Sequence, residues 1–518
     1  SIDSRGDAFE DLSILNMPSK GGWIFFAVVV FWYASRKRAR SRTNIPFPPS
    51  PEVLSDKVCN VPLHSTEDLW IAMPCWDDLP GLRRALRSVM EQRQTGYRNV
   101  RVVVFEDHSS NMISSEEIEA YRDRMNVTFL RNPKPPNQGS AYGKAKLFDF
   151  LRENALPHEY VIVLDGDDVL PDSWTIHNIH VALQRKKPWF AWGRQNGKFS
   201  ASCTKVEKDS DLSLRFIKWS FCHPRIFRAH LLNHIDDRDL QRQDGQWLQK
   251  ATDAAFIYKF MELAGPDRVL FLHEQPLYNY TFGHQNGLKV FRKRKILIDK
   301  RNVQRHEPAE MMKYDIHVLC LLQSKEKAKE VLKGLAGTRL NVDQSLHIHV
   351  WNNRSILHIE KVASEVKEQY PEVKIGVSRM GKRSGELDWM LFPRYVMKHE
   401  SVDYFIILDD DQVVSERTIP KLYDWRRPCS LTMLGEKSAR EVSAVDPDLP
   451  NGNCGQCGNC APARYQRAGL SIVDASIFNC KELYKARDDC GAFMKNMWLF
   501  HIARLHRWEI TEVDRSSL

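Results

Sequence analysis

The chain has 518 residues, of which 42% are hydrophobic and 27% charged, and a formal net charge of +9 at pH 7. That length and balance exclude a disordered or fibrous chain and leave room for two or three domains, each with its own core. Acids and bases are interspersed, which suits anionic substrates or an anionic surface and gives no argument for nucleic acid, while the 11 cysteines, odd in number and spread out, disfavour a dense disulfide framework.

Near the start, Trp23 to Ala34 is an unbroken apolar run followed by Arg36, Lys37, Arg38, Arg40 and Arg42. Its 12 residues fall short of the roughly 20 that span a bilayer, but Met17 to Gly22 can extend it. The basic cluster follows the run, whereas a signal peptide carries it in front. We expect a single-pass membrane anchor within residues 1–40 and a Pro-rich linker over 41–66.

From Trp70 the pattern becomes βα. Leu69 to Met73 reads as a short strand, Leu79 to Gln92 as a helix with Leu82, Ala85, Leu86 and Val89 on one face, and Val100 to Phe105 as a second strand. Val127 to Leu130 reads as an edge strand and Ala145 to Leu151 as a helix. Tyr160 to Leu164 is then wholly apolar, the pattern of a parallel strand covered on both faces, and it ends abruptly in Asp165, Asp167 and Asp168. Ligands of open α/β sheets gather at such carboxyl ends. Asp165 and Asp167, two apart, turn to one side if the chain stays extended, and hard cations such as Mg²⁺ or Mn²⁺ use such carboxylates to hold phosphates. A solvated acidic turn is the competing reading.

The ordered set Met73-Pro74, Ser88-Val89 with Gln92, Glu106-Asp107-His108-Ser109, Asn137-Gln138-Gly139 with Lys144, and Leu164-Asp165-Gly166-Asp167-Asp168 resembles the family-2 glycosyltransferases. The resemblance implies a GT-A fold and an inverting transfer from a nucleotide sugar, a UDP-sugar ahead of a GDP-sugar, to a hydroxyl on a glycan or glycoconjugate. It also implies that Asp107 contacts the nucleotide base, that Lys144 lies near the nucleotide, and that Asp165 and Asp167 hold Mn²⁺ or Mg²⁺ and the diphosphate. Further on, His223 to Leu232, Asp244 to Trp247 and Ala251 to Phe256 resemble the acceptor half, with Asp253 matching the catalytic base. An inverting transfer needs such a carboxylate to take the acceptor proton. A first-turn acid favoured by the helix dipole is the plain alternative for Asp253. His284 and Asn286 follow the last strand of this unit, and the charged stretch from Arg292 to Arg305 reads as a solvated helix and connector.

The pattern then restarts. Ile316 to Leu322, Leu346 to Trp351 and Val373 to Val377 read as strands, Lys325 to Leu335 and Leu387 to Met397 as helices, and Tyr404 to Leu408 ends in Asp409-Asp410-Asp411. Trp70 lies 95 positions before Asp165 and His317 lies 92 before Asp409, a spacing that tandem copies of one fold require. We therefore expect two tandem α/β domains with mainly parallel sheets, over residues 67–305 and 306–518. In the second copy Asn352-Asn353 stands in place of Glu106-Asp107, so Asn352 supplies an amide to the nucleotide, and Asp409 and Asp411 supply a second metal motif. Asn496 occupies the place of the expected base, and an amide is no general base, so this copy is either a second transferase, with Asp488 or Asp489 substituting, or a degenerate one. Cys454, Cys457 and Cys460 carry zinc-like spacing, against which stands a substrate loop or a disulfide. The competing function is a glycan- or nucleotide-sugar-binding scaffold with degenerate domains; nucleotidyl transfer on a related sheet is a third.

Overall fold

The computed structural model describes residues 67–514, apart from short breaks and longer ones at 197–213, 282–292, 380–390, 436–469 and 480–508. The expected membrane anchor and linker therefore lie outside the described residues, as do His284, Asn286, Asp411, Asp488, Asp489, Asn496 and the cysteines at 454, 457 and 460. Among the described residues, no helix is long and apolar enough to cross a membrane.

Two seven-stranded sheets organise the chain. The first contains β1 (Asp68–Cys75), β2 (Asn99–Glu106), β3 (Asn126–Arg131), β4 (Tyr160–Val163), β5 (Phe190–Asn196), β6 (Arg225–Arg228) and β7 (Val269–Asn279). Its helices are α1 (Leu79–Met90), α2 (Ser115–Arg122), α3 (Ser140–Asn154), α4 (Thr175–Lys186), α5 (Thr252–Ala264) and α6 (Lys293–Arg305). The strand order is β3-β2-β1-β4-β6-β5-β7. Within it β1 runs parallel to β2 and β4, β6 is antiparallel to both β4 and β5, and β7 is parallel to β5. The second sheet contains β8 (Tyr314–Leu322), β9 (Gln344–Asn352), β10 (Lys374–Arg379), β11 (Tyr404–Asp409), β12 (Ser430–Gly435), β13 (Leu470–Asp474) and β14 (Glu509–Asp514), with helices α7 (Lys325–Ala336), α8 (Ile359–Gln369), α9 (Leu391–Met397) and α10 (Thr418–Asp424). Its order, β10-β9-β8-β11-β13-β12-β14, repeats the first strand for strand.

The central strands lack polar alternation because both of their faces are covered. In β1, Leu69, Ile71 and Met73 join one core cluster while Trp70 and Ala72 join another on the opposite face. Leu82, Ala85, Leu86 and Val89 of α1 pack as their spacing predicts, and Asp78 caps this helix by accepting from Gly81 N at 2.9 Å. The α3 helix begins at Ser140, earlier than its apolar spacing suggests, because Gly139 at φ +97° turns the chain into it.

Two expectations need correction. The strand before the acids ends at Val163, and Asp168 N–H donates to Asp165 O at 3.0 Å, so the acids lie on a turn and the extended-chain argument does not hold. The stretch ending at Arg305 is not simply solvated: Asp299 and Val303 of α6 are fully buried. The Asp299 carboxylate accepts from Arg242 Nε at 2.7 Å, Gln249 N at 3.1 Å and Lys250 N at 2.8 Å, which ties α6 to the loop leading into α5. A buried acid so supplied with donors is retained at little cost.

The two sheets meet through charge. Arg228 of β6 donates to Asp403 Oδ1 at 2.6 Å and to Ser401 Oγ at 3.1 Å, and Lys187 Nζ sits 2.6 Å from the fully buried Asp474 Oδ1. Arg268 lies over the rings of Trp189, at 3.7 Å, and Tyr314, at 4.2 Å, one from each half.

Candidate active site

At the carboxyl edge of the first sheet the acid turn is held by close backbone contacts. Gly166 N–H donates to Pro74 O at 3.1 Å, and a Cβ at Gly166 would come within 2.9 Å of that oxygen. Only glycine lets the turn lie this close to the end of β1. Tyr278 of β7 anchors it from the other side, its hydroxyl donating to Asp168 Oδ2 at 2.8 Å and accepting from Asp165 N at 3.1 Å. Asp168 Oδ1 also accepts from Thr281 N at 2.6 Å. Asp168 is thus buried and tied inward, while Asp165 and Asp167 stay partly open. Burial, with the charges of Asp165 and Asp167 added, pushes the Asp168 carboxyl up to about 8. Burial also raises that of Asp165, with Lys144 acting against the rise and Asp253 adding to it.

Beside this turn lies a cluster of charges. Asp253 is in the first turn of α5, where the helix dipole favours an acid. Its Oδ1 is 3.0 Å from Lys144 Nζ and its Oδ2 2.8 Å from Arg225 Nη1. Lys144, buried in α3, also donates to Ser140 Oγ at 3.0 Å and Thr252 Oγ1 at 3.3 Å. Burial alone would raise the Asp253 carboxyl, but Arg225 and then Lys144 more than reverse this and hold it well below the usual carboxylate range. His223 Nε2 stands 3.7 Å from Asp165 Oδ2, and its ring stacks on Tyr278 at 4.4 Å, so it bridges the acid turn and the Asp253 cluster. Burial first, and Arg225 second, keep His223 far below its ordinary value, hence neutral.

Asp107, at the end of β2, is buried and accepts from Asn132 Nδ2 at 2.8 Å and Gly139 N at 2.6 Å. Its carboxylate therefore fastens the entry of α3 to β2, and a base contact would use its remaining lone pairs. The structure thus gathers Asp165, Lys144 and Asp253 around His223, puts Asp167 on the same turn as Asp165, and holds Asp107 at the neighbouring strand end. Arg225 and His223 fall within the His223 to Leu232 stretch that resembles the acceptor half, but sequence reasoning gave neither a role of its own. Their signal was a charged residue opening the four-residue Arg-Ile-Phe-Arg strand, opposite Val163 in register.

In the second sheet Asp409 ends β11 as Asp165 follows β4. The register pairs Asn352 with Leu322 and Glu106 with Cys75. Matching Tyr160 to Asp165 with Tyr404 to Asp409 then makes buried Asn352 the counterpart of Glu106, and Asn353, the counterpart of Asp107, lies outside the described residues.

The family model described as glycosyl transferase family 2 matches residues 70–192, the stretch from β1 to β5 that carries Asp107, Lys144, Asp165 and Asp167. No curated protein sequence matches the chain. Among solved structures, TarS 1–349 of S. aureus is 17% identical over 41% of this chain and 60% of that one, with a TM-score of 0.30. The same protein in complex with UDP is 17% identical over 42% of this chain and 60% of that one, at 0.31. The mannosyltransferase PcManGT from Pyrobaculum calidifontis, in complex with GDP-Man and Mn²⁺, is 13% identical over 50% of this chain and 66% of that one, also at 0.31. The chain thus spans 60% of the TarS 1–349 structures that it matches. At such TM-scores the assignment rests on the family match and on the side chains themselves.

Proposed function

We propose, from residues 70–192, which match the family model of glycosyl transferase family 2, that this protein is an inverting, metal-dependent glycosyltransferase that moves a sugar from a nucleoside-diphosphate sugar to a hydroxyl of a glycan or glycoconjugate. The observation that carries the reading is Asp253 held between Lys144 and Arg225 beside the acid turn of the family-matched segment. We assign residues 67–305 to the transferring domain and 306–518 to a second glycosyltransferase-like domain, with membrane attachment through the Trp23 to Ala34 run.

The residues fit a hard divalent cation. Asp165 and Asp167 offer carboxylate oxygens on one partly open turn, and Asp168 is tied away by Tyr278 and Thr281. Asp165 and Asp167 would hold Mn²⁺ or Mg²⁺, whose charge offsets that of the departing diphosphate. Asp253, kept ionised, accepts the proton of the acceptor hydroxyl at a carboxylate oxygen as the acceptor oxygen bonds to the anomeric carbon and the diphosphate leaves. Pinned by two cations it is a weak base, and an arriving diphosphate draws Lys144 and Arg225 toward itself and raises Asp253's basicity when acceptor is present. His223, neutral between Asp165 and the cluster, adds no charge to oppose either group.

Metal-dependent turnover of a panel of UDP- and GDP-sugars by the wild type, Asp167→Ala and Asp253→Asn tests this, and the panel decides the expected preference for UDP. Equal turnover by all three proteins would remove the mechanism. Donor binding with no turnover by any of them would leave the scaffold reading in its place.

A further inference from the structure

A second polar cluster lies away from the carboxyl edge, on the face of the second sheet that α9 covers. His317 of β8 is the register partner of His347 of β9, His349 lies two residues further on the same face, and Glu400 reaches in from the loop ahead of β11. The three histidines are buried and Glu400 is partly so; one ligand atom from each lies within 4.8 Å of all the others. His317 Nδ1 faces His349 Nε2 at 3.0 Å and Glu400 Oε2 at 3.6 Å, and His347 Nδ1 is 2.6 Å from that same oxygen.

We propose that His317, His347, His349 and Glu400 form a structural zinc site. Zinc bonds of 2.0–2.1 Å to nitrogen put neighbouring tetrahedral ligands about 3.3 Å apart. Three of the six pairwise separations, 2.6, 3.0 and 3.6 Å, bracket that spacing, and all six lie within 4.8 Å, so binding would draw the outer ligands inward. Imidazole nitrogens with one carboxylate oxygen suit Zn²⁺ ahead of the hard cations that the acid turn fits, and four protein ligands leave no open position for a substrate.

Two further observations point to an ion. The other nitrogen of His347 stands 3.1 Å from Asp315 Oδ1, and Asp315 in turn accepts from Ser345 Oγ, the outer carboxylate that fixes the ring of a zinc-bound histidine. His317 Nδ1 points at two other groups rich in lone pairs, His349 Nε2 and the Glu400 carboxylate. An ion at the centre accepts those lone pairs together, which a shared hydrogen does for one pair only.

The site joins β8 and β9 to the loop whose Ser401 and Asp403 receive Arg228 of β6. Arg225, which pins Asp253, begins that same short strand. Zinc would therefore set the loop on which the first sheet rests.

The test uses the full chain, stripped with chelator and reloaded with Zn²⁺ or Co²⁺ alone. The wild type should retain tightly bound zinc. One equivalent should be lost in His317→Asn/His349→Asn and kept both in Cys454→Ser/Cys457→Ser/Cys460→Ser and in Asp165→Asn/Asp167→Asn. The Co²⁺ form should show tetrahedral visible bands that vanish in the histidine variant. Zinc X-ray absorption of the wild type, which depends on no variant folding, should fit imidazole and carboxylate ligands. Zinc content unchanged in a folded histidine variant, absorption fitted by sulfur ligands alone, or a wild type that retains no zinc would each overturn the assignment.

Discussion

The two sheets share one strand order and place their charges differently. Matching the Tyr160 to Asp165 run with Tyr404 to Asp409 and following the registers pairs His317 with Trp70, His347 with Arg101, His349 with Val103, and Asp315 with Asp68. In the first sheet this spot is filled by the Trp70 indole, whose Nε1 donates to Glu159 at 2.9 Å and which Arg101 covers at 5.2 Å, while Asp68 is salted by Arg98 and Arg101. The second sheet puts imidazoles there. Its histidine and carboxylate cluster sits under a helix, and the acid and cation cluster of the first sits at the carboxyl edge. The topology fixes where an edge and a face lie, and the side chains decide which of them carries chemistry.

The comparison breaks most visibly at Asp253. Asp253→Asn should lower turnover about a hundredfold to ten-thousandfold, the span over which a positioned general base acts, whereas Asp409→Ala should leave the first domain's reaction unchanged. Steady-state kinetics with the preferred donor measures both, and equal losses would mean that the two edges work as one site.

Arg225→Met should follow. It leaves Asp253 with Lys144 alone and should cost about 3 kcal/mol in denaturant unfolding, toward the low end for a broken buried pair because 26% of the Asp253 side chain is open to water. Removing Asp253 as well, in Arg225→Met/Asp253→Asn, should recover part of that loss, since the carboxylate short of a partner is gone and the buried Lys144 still donates to Ser140 Oγ and Thr252 Oγ1. A double variant no more stable than Arg225→Met would show that Arg225 acts through its place over the Trp219 ring, 5.9 Å from the centroid, and not through the ion pair.

Gly166→Ala comes next. Its Cβ would meet Pro74 O at 2.9 Å, and relieving the clash should cost about 1–3 kcal/mol and move the acid turn, so the metal concentration needed for half-maximal turnover should rise.

The smallest effect concerns pH. The Asp168 carboxyl is raised from 3.8 to about 8, so the stability it contributes is fully present below 3.8 and lost as pH rises through about 8. Burial is the main cause of the rise and repulsion from Asp165 and Asp167 adds to it; Mn²⁺ on those acids relieves that added part. The melting temperature gained on adding Mn²⁺ should therefore grow with pH toward about 8 and reach about 2–4 °C, the shift that ~1 kcal/mol gives in a domain of this size. In Asp165→Asn it should be absent.

The strands and most helices were legible because apolar runs and helical spacing report burial directly, as in β1, β4 and α1. Asp107, Asp165, Asp167 and Asp253 were legible because each follows a strand or opens a helix within an ordered set of motifs. Arg225 and His223 were not, since a four-residue antiparallel strand carries too little pattern to reveal its partner. The turn at Gly166 was misread as extended chain because the apolar run gives no sign of the contact with Pro74. Among the histidines, His347-Ile348-His349 alternates visibly, but His317 lies 30 residues before His347, and only the β8–β9 register brings them together. Burial of Asp299 in a stretch of Lys and Arg was likewise hidden, because its donors come from a loop some 50 residues earlier.

The most direct measurement is calorimetric titration of UDP and GDP, with Mn²⁺, into the full chain and into Asp165→Asn/Asp167→Asn and Asp409→Ala. One of the two nucleotides should bind the wild type and Asp409→Ala alike and lose its binding in the Asp165/Asp167 variant. Binding that survives in that variant, or that is lost only in Asp409→Ala, would contradict placing the donor at the edge of the first sheet.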